Sequence, residues 1–345
     1  MIKRPVKDPR PLLTPKQIEK IAIQVVKDAC AGLTHTNAVD KLVRAKEEKA
    51  RLAELQATNL GYKRVGDDGF SFLLDIPDYY PCSGGCRTMH YLAALLVEAG
   101  FAVACTKLNF FNPLIPVRAK ALKTDIAICC DGVRMDTTGA TRVCWWMLCY
   151  ADVFFAGRDP NRKVKAHECC IVYMPEFLES CRRHCEYPLT EEDVIYIPHI
   201  DPLWCFPGLK TIRACFYGKH SASKTSINSD PNVAGSTIFS DAVYIPPIGD
   251  VYRDGTNRDQ FYGHQRTLAV LRAAENLYTV DHNSALSVEA ALCGCKVWYV
   301  RADGTAIEKF ISPAVLRREV MNPVRDIEAA KAFGVKVLAF FKRQV

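Results

Sequence analysis

Residues Tyr278–Cys295 read YTVDHNSALSVEAALCGC. They join a short β-like run, LYTVD, to a helix, SALSVEAALCG, through the turn HNS. In parallel α/β sheets, ligands bind where strands end and helix N-termini point at them. Ser284 can cap this helix, and the free N–H groups that begin at Ala285 form an anion site. Glu289 is a lone carboxylate in an otherwise apolar run, eight positions after Asp281. A carboxylate less than two turns into the helix can accept hydrogen bonds from ribose hydroxyls while the turn holds phosphates. The plainer alternative is a capped helix with a glutamate on its wet face.

The same alternation extends outward in both directions. FSFLLDIP, FAVACTKL, KTDIAICCDG and VIYIPHID read as strands, and SGGCRTMHYLAALLVEAG as a Gly-rich turn and helix. After DPLWCFPGLK the order restarts with the strands TIRACFYGK and DAVYIPPI, the helix RTLAVLRAAE, and the strand–helix–strand run NLYTVD, SALSVEAALCG, KVWYVRA. This rhythm predicts an α/β fold of two Rossmann-like domains, 67–206 and 207–345, facing a cleft. No repeat of 20–50 residues is visible. Residues 1–66 read as a charge-rich helical extension. Thr14 is its N-cap, Pro15 the first helical residue and Gln17 the far side of a capping box.

Composition narrows the class. The 345 residues are 49% hydrophobic and 24% charged, which is globular usage. The longest apolar run, YLAALLVEAGFAVAC, is broken by Glu98 and Gly100, so no membrane span is expected. The basic start lacks an apolar signal core, and a cytoplasmic protein is expected, with attachment to a membrane surface as the alternative. Sixteen cysteines fall mostly within apolar runs, where they act as small core residues. The HECC…CRRHC segment (His167 to Cys185) lacks standard zinc spacing, so no metal is assigned. A net charge of +7 suits an anionic partner.

Asp281 and Glu289 enclose seven residues, and the segment resembles the nucleotide-sugar site of GT-B glycosyltransferases, above all the retaining E-x7-E group. The resemblance implies that Glu289 binds the donor ribose and that Asp281 takes the place of the glutamate contacting the transferred sugar. Asp281 is one methylene shorter than that glutamate, and Lys296 stands where proline is usual. FYGKHSASK resembles the stretch whose two cations hold the diphosphate, here Lys219 and Lys224. Arg266 is a further anion candidate, and Ile245 and Pro246 could flank the base. IPDYYPCSGGCRTMHY resembles the opening loop of the first domain. Gly84 and Gly85 would admit the diphosphate, and His90 would face either the cleft or the core. AICCDGV and TRVCWWMLCYADVFF resemble bacterial surface-polysaccharide transferases, with a strand before a Trp-containing helix, and put Asp131 and Arg134 at the cleft.

The likeness covers roughly residues 70–300. It implies a retaining, metal-independent transfer without a cofactor, from a UDP-sugar or other nucleotide-sugar to a glycan hydroxyl. Catalytic roles fall to Asp281, His90 and Asp131, and Glu289→Ala is expected to abolish transfer with the fold intact. Two alternatives accompany it: modification of a hydroxylated DNA base, and a nucleotide-sugar sensor without catalysis. The chain has no D-x-D pair for a divalent metal.

Overall fold

The computed structural model describes residues 69–79, 83–130, 138–156, 161–200, 205–217, 242–245, 257–280, 285–301, 305–309 and 322–344. The proposed extension (1–66), Asp131, Arg134, Lys219, Lys224, Pro246, Asp281 and Ser284 lie outside them. Both sheets belong to one compact unit, Asn59–Val345. The fold is α/β, with one parallel five-stranded sheet and one mixed five-stranded sheet.

The first sheet comprises β1 (Ser71–Asp75), β2 (Val103–Cys105), β3 (Asp125–Cys129), β4 (Val143–Met147) and β5 (Cys169–Val172). Helix α1 (Gly84–Glu98) follows β1, α2 (Ala151–Ala156) follows β4, and α3 (Pro175–Arg183) follows β5. All pairings are parallel, in the order β2-β1-β3-β4-β5. Strands buried on both faces can be apolar at every position. In β3, Ile126 and Ile128 enter one core while Ala127 and Cys129 enter the other. Trp145 and Trp146 in β4 divide the same way, each fully buried. The expected Trp-containing helix is therefore a strand, because neighbouring Trp side chains on opposite faces serve two cores at once. Likewise residues 194–200 of VIYIPHID form no strand. Val194 makes one isolated bridge to Val172, after a 3₁₀ turn at Glu191–Asp193.

The second sheet comprises β6 (Ile212–Tyr217), β7 (Val243–Ile245), β8 (Ala274–Thr279), β9 (Lys296–Val300) and β10 (Ala306–Lys309). Helix α4 (Asn257–Ala273) precedes β8, and α5 (Ala285–Leu292) joins β8 to β9. Read from one edge, the order is β7-β6-β8-β9-β10, with only β10 antiparallel. Both sheets thus follow one plan: second strand, first, third, fourth, fifth. In each, the order of strand addition reverses between the first and third strands, and ligands of open α/β sheets bind at that switch.

The last helix, α6 (Pro323–Lys342), follows the second sheet in sequence but packs with the first. Asn322 caps it through the Arg325 N–H, with Pro323 at the first position. Ala330, Phe333, Val337, Leu338 and Phe341 form the stripe that completes the α1 core. Gly334 lies on the same stripe, and a Cβ there would come within 2.5 Å of the Phe101 ring. The sequence alone groups this segment with 207–345, since amphipathic spacing reveals that a face is buried but not against which sheet. No described helix is long and apolar enough to cross a membrane.

Candidate functional site

Helix α1 begins at the reversal point of the first sheet. Ser83 caps it, its Oγ accepting from the Cys86 N–H at 3.2 Å. Helix α5 follows the third strand of the second sheet, β8, beside that sheet's reversal between β6 and β8. The two N-termini touch: a Cβ on Gly84 would lie 3.1 Å from Cβ of Ala285. Gly84 therefore allows two helix starts to approach, a role distinct from the diphosphate approach expected of it. Gly85 is less constrained, since a Cβ there would meet Leu148 at an ordinary 3.4 Å.

One turn into each helix stands one buried charge. Arg87 of α1 is 3% exposed and Glu289 of α5 is 2% exposed. An Arg87 terminal nitrogen lies 2.6 Å from Glu289 Oε1. Burial works against the Arg87 charge, but Glu289 more than offsets it, and the guanidinium pKa is raised. Its other terminal nitrogen lies 3.0 Å from Nε2 of His264, on α4. A guanidinium can only donate, so Nε2 accepts and this imidazole is neutral, with its proton on Nδ1. The 3.8 Å approach of His264 to Glu289 is accordingly not an ion pair. Arg87 Nε and Ser287 Oγ are buried with no hydrogen-bond partner among the described residues. Buried polar groups rarely stay unpaired, so the junction has hydrogen-bonding capacity in reserve.

His199 adds a second imidazole. It is half-buried, ringed by Tyr91 (4.8 Å between centroids) and Phe111 (4.4 Å). Burial, and after it the charge of Arg87, hold its pKa down to about 3. The folded protein resists a proton that the unfolded chain accepts near pH 6.5, so His199 removes stability as pH falls from 6.5 toward 3. His199→Gln is expected to flatten the fall of Tm across that window. An unchanged slope would show that this ring does not govern acid sensitivity.

His90 sits elsewhere. It is fully buried, and the Phe110 N–H donates to its Nδ1 at 3.1 Å. Its Nε2–H donates to the Pro77 carbonyl at 3.0 Å. Both nitrogens are thus held by backbone, and burial lowers the ring pKa. As placed, His90 ties the loop after β1 to the loop after β2 and has no nitrogen left to exchange a proton with a substrate. The expected role in the cleft gives way to the core alternative. Arg266 is exposed on α4, two residues from buried His264. Two helical steps turn a side chain about 200° away, so Arg266 does not join the Arg87 cluster. Of the expected site residues, Gly84, Ala285 and Glu289 come together. Ile245 is buried in the core of the second sheet. Cys169, Cys170, Cys181 and Cys185 are buried in the first sheet's cores.

The sequence reading missed Arg87, His199 and His264. Arg87 alone carried a usable signal: it is a single cation in an apolar helix. Buried charges need partners. A lone Arg in one apolar helix and a lone Glu in another therefore point at each other.

Comparison with models of protein families, with curated proteins and with solved structures found no match.

Proposed function

We propose that the chain is a glycosyltransferase with two Rossmann-like domains of the GT-B kind, transferring a sugar from a nucleotide-diphospho-sugar to a hydroxyl acceptor. One observation carries the reading: two sheets of the same strand order, each with its order reversing between the first and third strands, bring their helix starts together at Gly84 and Ala285, beside Glu289. On this reading Glu289 holds the ribose hydroxyls. The N–H groups at the start of α5, with Lys219 and Lys224, hold the diphosphate, where cations favour the charge that develops on the leaving group. Asp281 and Asp131 would lie toward the transferred sugar and the acceptor. Retention follows from the D-x7-E resemblance, independence of metal from the lack of a D-x-D pair, and a glycan acceptor from the likeness of the middle segments to surface-polysaccharide transferases. Glu289 now faces Arg87, so donor binding requires the ribose to displace that guanidinium and α1 and α5 to part.

A thermal-shift screen of sugar nucleotides, beginning with UDP-sugars, tests the reading, because a ligand that binds only the folded state raises Tm. Stabilisation together with release of the nucleoside diphosphate supports a transferase. Stabilisation without consumption supports the sensor alternative. Silence across the screen overturns both. Glu289→Gln keeps the shape but loses the charge, and is expected to weaken binding by about 10–100-fold, the worth of one charge-assisted hydrogen bond. A modified DNA base as acceptor would instead make turnover fall steeply with salt. Net charge and the basic extension are what favour that second reading.

A further inference from the structure

The described residues expose ten large hydrophobic side chains, and four of them, Phe110, Leu114, Val117 and Leu122, fall within the single loop between β2 and β3. Exposure runs from 43% at Val117 to 55% at Phe110. The loop is not loose. Ile115 is fully buried in the core beneath it. The Cys105 N–H donates to the Pro116 carbonyl at 2.9 Å and the Arg118 N–H to the Cys105 carbonyl at 2.8 Å, so Val117 lies as a short bridge outside edge strand β2. Asn109 Oδ1 accepts from the N–H groups of Phe111 and Asn112, and His90 accepts from that of Phe110. The Phe110 ring stacks at 3.8 Å on Tyr79. The inward groups are thus committed to the fold, and the apolar ones are held outward on the flank of the sheet.

Charge identifies the partner. Between positions 106 and 124 there is no Asp or Glu, while Lys107 and Lys123 are exposed. Arg118 is turned inward onto Asp125 at 2.6 and 2.9 Å. We propose that this loop docks the protein on the surface of an anionic lipid bilayer, its apolar side chains entering the headgroup–acyl boundary and its lysines meeting the anionic headgroups. Three of the four apolar side chains are aliphatic and offer no flat face for stacking on bases, which disfavours single-stranded nucleic acid. A second copy fits poorly too, because a self-complementary interface would set like charges against each other. The loop is already ordered, so docking needs no folding step.

Vesicle co-sedimentation of the full chain tests this, using phosphatidylcholine alone and phosphatidylcholine mixed with phosphatidylglycerol. Wild type is expected to bind the anionic vesicles at least about tenfold more tightly than the neutral ones, as expected for two or more lysines near the surface. Leu114→Glu/Leu122→Glu should lose binding, and Lys107→Glu/Lys123→Glu should lose most of it, both with unchanged Tm because the four positions are exposed. Absence of binding to anionic vesicles overturns the proposal. So does equal binding by wild type and both variants, which would move the membrane contact elsewhere in the chain. A loss in these variants of single-stranded DNA binding or of self-association, without vesicle binding, likewise assigns the loop to another partner.

Discussion

Glu289→Ala is expected to lower stability by roughly 3–5 kcal/mol, because it leaves the Arg87 guanidinium charged and unpaired in the interior. In a unit of this size that is a fall in Tm on the order of 10 °C. The sequence alone led to a different expectation, lost transfer with the fold intact. The difference lies in the 2.6 Å contact and in the burial of both partners. Arg87→Met strands the opposite charge and should cost a comparable amount. The double variant Arg87→Met/Glu289→Ala removes both charges, so its cost should fall short of the sum by about 0.5–3 kcal/mol. Urea melts of the four proteins measure that coupling. Single variants that each stay within about 1 kcal/mol of wild type, and that add, would rule out a buried pair of this kind. The result also governs the binding test. Loss of nucleotide binding in Glu289→Ala would confound unfolding with a missing ribose contact, which is why Glu289→Gln is the preferred probe.

The second large effect is expected far from that junction. Phe333→Ala should destabilise by roughly 3–5 kcal/mol, as buried phenylalanines do when a cavity replaces the ring. Phe333 is fully buried and sits edge-on to Trp146 at 5.3 Å. Val335, on the same helix, is 54% exposed, and Val335→Ala should stay within about 0.5 kcal/mol of wild type. Tryptophan emission separates specific undocking of α6 from a general loss of stability. Phe333→Ala should shift the Trp146 environment under native conditions. Unchanged emission and unchanged Tm would contradict the docking of α6 on the first sheet.

Much of the architecture was legible because the chain repeats a simple physical signal. Short β-branched and apolar runs between turn residues marked β1, β2, β3, β6, β7, β8 and β9, and the apolar run after the Gly-rich turn marked α1. Trp145 and Trp146 defeated the reading, because a doubly covered strand carries no alternation of polar and apolar residues to separate it from a buried helix. Helix α6 showed its apolar stripe plainly, yet its destination depends on tertiary packing that spacing does not encode. At the junction, Glu289 was legible as an anomaly, a carboxylate in an apolar helix. Its partner lies some two hundred positions earlier, beyond the reach of any local pattern. His90 shows the opposite limit. A histidine beside a glycine turn has the chemistry of a site, and only its two backbone partners reveal that both nitrogens are occupied.

The return of α6 to the first sheet bears on synthesis. Strands β1 to β5 leave the ribosome early, but the groove over α1 cannot close until the final helix has been released. The first-made half therefore waits, with Phe101 and Trp146 uncovered on one side, while the whole second sheet is translated. Such long-range closure slows folding and exposes apolar surface to other nascent chains. Truncations that end before Pro323 would keep that groove open permanently, and expression trials on the isolated halves should carry α6 with the first.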